Sequence, residues 1–116
     1  LREVQPADAS PLLETIYGLA HAAELSEPAA RQRYLFFYSD MLQNSTVLSH
    51  FKPNYRFDQL ATGRSMYLDV ASLRGAEVTV NRVGNRHRLL QTDGQIEFWK
   101  RYFDHAHVAK LTFREL

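Results

Sequence analysis

The sequence predicts an α+β domain in which two or three N-terminal helices precede an antiparallel β-meander of three to five strands. In the first half of the 116-residue chain, apolar residues recur at helical spacing. After about residue 65 they alternate with polar residues, and turn dipeptides separate the alternating runs. We expect a single domain over 1–116, with a helical half at about 9–51 and a sheet half at about 65–116.

The first helix is predicted from residue 12 to about residue 25. Ser10 and Pro11 form a favourable N-cap and first-turn pair, because the hydroxyl accepts an amide hydrogen bond and proline has no amide to lose. The apolar residues that follow share one helical face: Leu12, Leu13, Ile16, Tyr17, Ala20 and Ala23.

A second helix is predicted over residues 29–43. A Ser-Glu-Pro start signal at 26–28 precedes it, and helix-forming residues stand at both of its ends. Its centre, Tyr-Leu-Phe-Phe-Tyr at 34–38, also has the composition of a buried strand. The flanking residues favour the helix.

This aromatic run predicts an interaction surface. Consecutive residues of a helix lie about 100° apart, so Leu35, Phe36 and Phe37 cannot all face one core. Another element, a second copy or a partner protein must cover the remainder. The predicted interface residues are Tyr34, Phe36, Phe37 and Tyr38.

The meander is predicted from three alternating or β-branched runs joined by turn dipeptides. The runs are Met66–Ala71, Glu77–Val80 and 86–90, and the turns are Arg74-Gly75, Gly84-Asn85 and Asp93-Gly94.

The segment 96–110 fits two structures. Ile96, Trp99 and Phe103 stand at helical spacing after Asp93, a possible N-cap, yet the same stretch also alternates as a strand would. Residues 111–113 have strand character. We predict a final pair of strands.

Charge is divided unevenly along the chain, although the formal net charge is only +1. Residues 1–51 hold three basic and six acidic groups, net −3, and residues 52–116 hold eleven and seven, net +4. A uniformly basic nucleic-acid coat is therefore excluded. Within the second half a predicted hairpin tip presents a basic cluster, which is the candidate binding site for phosphate: Arg82, Arg86, His87 and Arg88.

The same cluster permits an RNA-cleaving function without metal. His87 or His105 would move a proton, and Arg86 or Arg88 would stabilise the phosphate. The run at 82–90, with His105 downstream, resembles the sheet of small ribosome-dependent RNA-cleaving toxins. Charged residues of a solvated surface hairpin are the alternative interpretation.

No catalytic residue, metal site or cofactor is predicted. The chain has no cysteine, no phosphate-binding loop, no dinucleotide motif and no nucleophile elbow. His105 and His107 would share one face of a strand, but the sequence supplies no clear third ligand.

The sequence thus predicts a non-catalytic binding or regulatory domain of a larger, bacterial protein, acting through protein or small-ligand contacts. The alternative is the phosphate-directed domain that binds or cleaves nucleic acid through residues 82–88. A non-enzymatic role is favoured, and the first residue, Leu1, is typical of an excised segment. No apolar run approaches the roughly 20 residues of a membrane span, so we expect a soluble domain, with a cytoplasmic location favoured.

Overall fold

The computed structural model describes residues 11–26, 32–52, 55–84 and 88–116. Helices and strands alternate along the described chain, with short 3-10 segments at Met66–Leu68, Ala71–Leu73 and Arg88–Leu90. The regular elements are α1 (Leu12–Ser26), β1 (Tyr34–Ser39), α2 (Asp58–Thr62), β2 (Glu77–Arg82), α3 (Asp93–His105) and β3 (Lys110–Glu115).

The three strands form one parallel sheet in the order β1-β2-β3. The predicted antiparallel meander is therefore wrong, and helices do not precede the sheet as a block. Parallel neighbours require crossover connections, since a short turn cannot return the chain to the same end of the sheet. Residues 40–76 and 83–109 make these two crossovers.

The predicted first helix is confirmed as α1. Among its residues 12–22, Leu13, Ile16 and Ala20 are buried, at the spacing of three and four that the pattern indicated. The N-terminal cap proposed at Ser10 lies outside the described residues. At the helix start the side chain of Gln43 accepts a hydrogen bond from the Leu13 amide at 2.7 Å, which ties the loop after β1 to α1.

The predicted second helix is wrong, because residues 34–39 form β1. In a strand the aromatic run no longer has to face a single core, since alternate side chains point to opposite faces. Leu35 and Phe37 pack against the core, whereas their neighbours are exposed. Aromatic residues also favour a pleated surface over a helix.

The predicted strand over Met66–Ala71 is also wrong, because this segment forms two 3-10 turns. The Ser65 hydroxyl accepts the Tyr67 amide at 3.2 Å and so starts the first turn. The predicted turn at Gly75 is confirmed, with a φ of 81°, and it leads into β2, where the predicted strand over Glu77–Val80 lies.

The predicted strand at 86–90 is wrong where the structure describes it, because Arg88–Leu90 form a 3-10 segment. Asp93-Gly94 begins α3 instead of making a hairpin turn. The Thr92 hydroxyl caps this helix by accepting the Gln95 amide at 3.3 Å. The predicted final strand pair is half right, because 111–113 lie in β3 and 96–103 are helical.

The helix forms because four aromatic residues share one face of α3. Phe98, Trp99, Tyr102 and Phe103 are all buried, at spacings that a strand would divide between two faces. They join α1 and one face of the sheet in a single core. The sheet residues of this core are Leu35, Phe37, Val78, Val80, Leu111 and Phe113.

No described helix is long and apolar enough to cross a membrane.

Candidate functional site

Three aromatic side chains of β1 are exposed to solvent. Tyr34, Phe36 and Tyr38 are 59%, 64% and 71% exposed, and we call them the aromatic strip. They alternate with the core residues Leu35 and Phe37, so they lie on the sheet face opposite the helices. Large apolar groups grouped in this way on a surface are typical of interaction sites.

The register of the sheet shows what surrounds the strip. Aligned residues of neighbouring strands share a face, so three rows of side chains run from β1 across β2 to β3. We call this surface the open face. Its rows are Tyr34-Glu77-Lys110, Phe36-Thr79-Thr112 and Tyr38-Asn81-Arg114. Asn81, at the centre of the third row, is buried and donates its side-chain amide to the Phe37 carbonyl at 3.4 Å.

The backbone of the strip lies on the free edge of the sheet. Glu77 and Val83 donate their amides to the carbonyls of Arg33 and Ser39, so odd-numbered residues of β1 face β2. Backbone groups alternate in direction along a strand, and those of the strip therefore point away from the sheet. Within the described chain no strand pairs with this edge.

The two edges of the sheet differ in their protection. β3 carries Lys110, Arg114 and Glu115, and charged residues on an edge discourage pairing with another chain. β1, with the sequence Tyr-Leu-Phe-Phe-Tyr-Ser, has no charge and no proline. The unprotected edge and the aromatic strip thus belong to the same strand.

The predicted interface residues are therefore separated by the strand. Tyr34, Phe36 and Tyr38 are exposed together, whereas Phe37 points into the core and lies 6.1 Å from Phe103 between ring centroids. Interpreting the run as a strand would have separated Phe37 from the other three, because alternate side chains of a strand point to opposite faces.

Arg82 does not project into solvent from a hairpin tip. It is the last residue of β2 and is buried on the helix-covered side. Its guanidinium donates to both carboxylate oxygens of Glu115 at 2.7 Å and to the Gln95 side-chain oxygen at 2.6 Å. This bidentate pair joins β2 to β3 and α3, so Arg82 has a structural role.

The rest of the basic cluster is only partly described. Arg88 is exposed, and its guanidinium lies beside Gly84, where a Cβ atom would come within 2.5 Å of it. Arg86 and His87 lie outside the described residues. Of the four predicted phosphate-binding residues the structure thus describes two: Arg82, which is buried in an ion pair, and Arg88, which is exposed.

The carboxyl ends of parallel strands are the usual place for a ligand in α/β proteins. Here the described polar groups at this end bind one another. Gln95 donates its side-chain amide to the Asp40 carbonyl at 2.9 Å, and Gln91 donates to the carbonyls of Asp40 and Val83 at 3.2 and 2.9 Å. These contacts hold the strand ends against α3.

His50 is a buried histidine among aromatic rings. Its Nδ1 accepts the Gln43 amide at 3.0 Å, and the rings of Tyr55 and Phe98 lie 4.4 and 4.6 Å away. Burial lowers the pKa of His50 to about 4, and the Met41 carbonyl opposes this shift only in part. The imidazole is therefore neutral at physiological pH.

Among the described residues no three His, Cys, Asp or Glu side chains come together as metal ligands. His105 ends α3, and His107 follows it in a turn at a φ of 60°. The two histidines do not lie on a common strand.

Comparisons with protein-family models, with curated proteins and with solved structures find no match to this chain.

Replacing Arg82 tests its structural role. Arg82→Ala should lower the free energy of unfolding by about 2 to 3 kcal/mol, because buried Gln95 loses its donor and Glu115 its partner. Arg88→Ala removes the same side chain from an exposed site and should change the free energy of unfolding by less than about 0.5 kcal/mol. Urea unfolding followed by the fluorescence of buried Trp99 measures both, and equal losses would contradict the assignment.

The buried histidine predicts a pH dependence of stability. The folded pKa of about 4 lies below the unfolded value of 6.5, so between these values the unfolded chain binds more protons. The free energy of unfolding should therefore fall by up to about 3 kcal/mol as the pH decreases from 7 to 4. His50→Asn keeps an acceptor for Gln43 and should remove this slope in urea titrations. His105→Asn is the exposed control, and an equal loss of slope there would contradict the interpretation.

Proposed function

We propose that this chain is a non-catalytic binding domain that docks a partner protein through the open face and the aromatic strip. The observation that supports the proposal is a parallel sheet whose described helices lie on one side, with three exposed aromatic residues on the other. Parallel sheets occur almost only with both faces covered. The partner would supply the second cover.

The size of the strip supports this proposal. An aromatic residue contributes roughly 200 Å² of surface, so three at the exposures of Tyr34, Phe36 and Tyr38 present on the order of 400 Å². A contiguous patch of that size is as large as the largest on most monomers. Aromatic residues also dominate the central contacts of protein interfaces.

The chemistry of the strip favours a protein partner over a small ligand. Two of its side chains are tyrosines, whose rings bury apolar area while the hydroxyl bonds to water or to a partner. A flat surface of this kind lacks the concavity with which small-molecule sites enclose their ligands.

The phosphate-directed alternative has less support from the structure than from the sequence. Its cluster loses Arg82 to the ion pair with Glu115 and is left with Arg86, His87 and Arg88. The parallel sheet also replaces the antiparallel meander whose hairpin tip was predicted to present this cluster. If this alternative holds, the parent chain should bind an RNA fragment at low salt, and Arg88→Ala should weaken that binding.

A photo-crosslinker placed in the strip tests docking directly. Benzoylphenylalanine at position 38, expressed in the native cells, should give a covalent adduct with a polypeptide on irradiation. The same group in place of Leu89, which is 93% exposed and lines a cleft beside His50 and Tyr55, is the control.

An adduct at position 38 that is absent at position 89 would support the proposal. No adduct at position 38, or the same adducts in equal yield at both positions, would contradict docking through the strip. A nucleic-acid adduct at position 38 would show that the open face binds another class of macromolecule.

A further inference from the structure

We propose that the partner on the open face is a second copy of this chain, packed face to face about a twofold axis parallel to the strands. This inference rests on the proposed function and names the partner of the same surface. Three properties of the open face support a second copy: its rows of aligned residues, its area and the position of its charges.

The rows make the open face complementary to itself. A twofold axis that runs along β2 keeps each row in place and exchanges β1 with β3. Each strip residue then lies over the β3 residue of its own row in the second copy. The resulting contacts are Tyr34 with Lys110, Phe36 with Thr112, and Tyr38 with Arg114.

The charges select this axis over the other twofold arrangement. Lys110 and Arg114 are exposed and have no ion-pair partner in the described parts of the chain. Under the proposed axis both cations lie over tyrosine rings, which attract them. A twofold axis perpendicular to the strands would instead place Lys110 over Arg114 of the second copy and oppose like charges.

The proposed axis places Glu77 over Glu77 of the second copy, whereas the perpendicular axis would place it over Asn81. The proposed arrangement thus opposes one pair of like charges, and the perpendicular one opposes two pairs, each a Lys110 with an Arg114. Glu77 is half-buried and stands in one row with Lys110 of its own chain, at the spacing of neighbouring strands. A cation therefore lies next to each of these carboxylates, which reduces the repulsion between them.

The two strips supply a large part of the area of a specific dimer. Two strips contribute on the order of 800 Å², and specific interfaces bury about 1,200 to 2,000 Å² in total. Thr79, Thr112 and the stems of Lys110 and Arg114 supply additional surface on each copy. Packing of the two sheets would also cover the second face that a parallel sheet requires.

Sedimentation equilibrium of the purified chain tests the inference. The parent should form a dimer, and Phe36→Asp should weaken it at least tenfold by burying a charge in the interface. Arg114→Glu should weaken it to a similar extent, because a carboxylate would face the negative surface of the Tyr38 ring. Leu89→Asp places the same charge on an exposed residue outside the sheet and should leave the dimer unchanged.

Cross-linking then tests the axis, since the chain has no cysteine of its own. Sheets pack about 10 Å apart, so a bis-maleimide of about that span should join Phe36→Cys to Thr112→Cys when the two variants are mixed. The mixture should give more cross-linked dimer than either variant alone. A higher yield from Phe36→Cys alone would show strip over strip and overturn the proposed axis.

A parent chain that sediments as a monomer, or a dimer that neither substitution weakens, would overturn the inference. The proposed function fails separately, when the photo-crosslinker at position 38 captures no polypeptide. A monomer whose position 38 captures a different polypeptide would therefore overturn the second copy and leave docking supported. Circular dichroism of each variant confirms that it remains folded.

Discussion

The parallel pairing of β2 with both of its neighbours is the constraint on which the rest of this structure depends. Parallel strands require crossover connections, and the elements of those crossovers must lie on a face of the sheet. In this chain the buried residues of α1 and α3 belong to one core with the inner residues of all three strands. The helices therefore cover one face, and the aromatic strip lies on the other.

Polar contacts within the molecule distinguish the two candidate sites. At the carboxyl ends of the strands, Arg82, Gln95 and Glu115 satisfy one another and hold β2, β3 and α3 together. A ligand there would have to replace these hydrogen bonds, which is costly for buried groups. The backbone and side chains of the strip have no such internal partners in the described structure, so binding there costs less desolvation of polar groups.

The sequence was sufficient for the elements with a single clear period. α1 and the strand at Glu77–Val80 were predicted because their apolar residues follow one repeat. β1 was missed because apolar residues on both sides of a strand hide its alternation. α3 was missed because Asp93-Gly94 is typical of a tight turn as well as of a helix start. Three of the four predicted interface residues are nevertheless exposed, since the surplus of aromatic surface depends on composition. Arg82 was misplaced because its partner Glu115 lies 33 positions away.

Hydrogen exchange of the β1 amides, measured by NMR in dilute solution, tests the central claim that β1 is a free edge of a parallel sheet. The amides of Leu35 and Phe37 face β2 and should exchange slowly, whereas those of Phe36 and Tyr38 point to solvent and should exchange at nearly the rate of an unfolded peptide. Packing of a second copy on the open face does not cover this edge, so the alternation should persist in the dimer. Uniform protection of residues 35 to 38, as in a helix or an interior strand, would contradict the account.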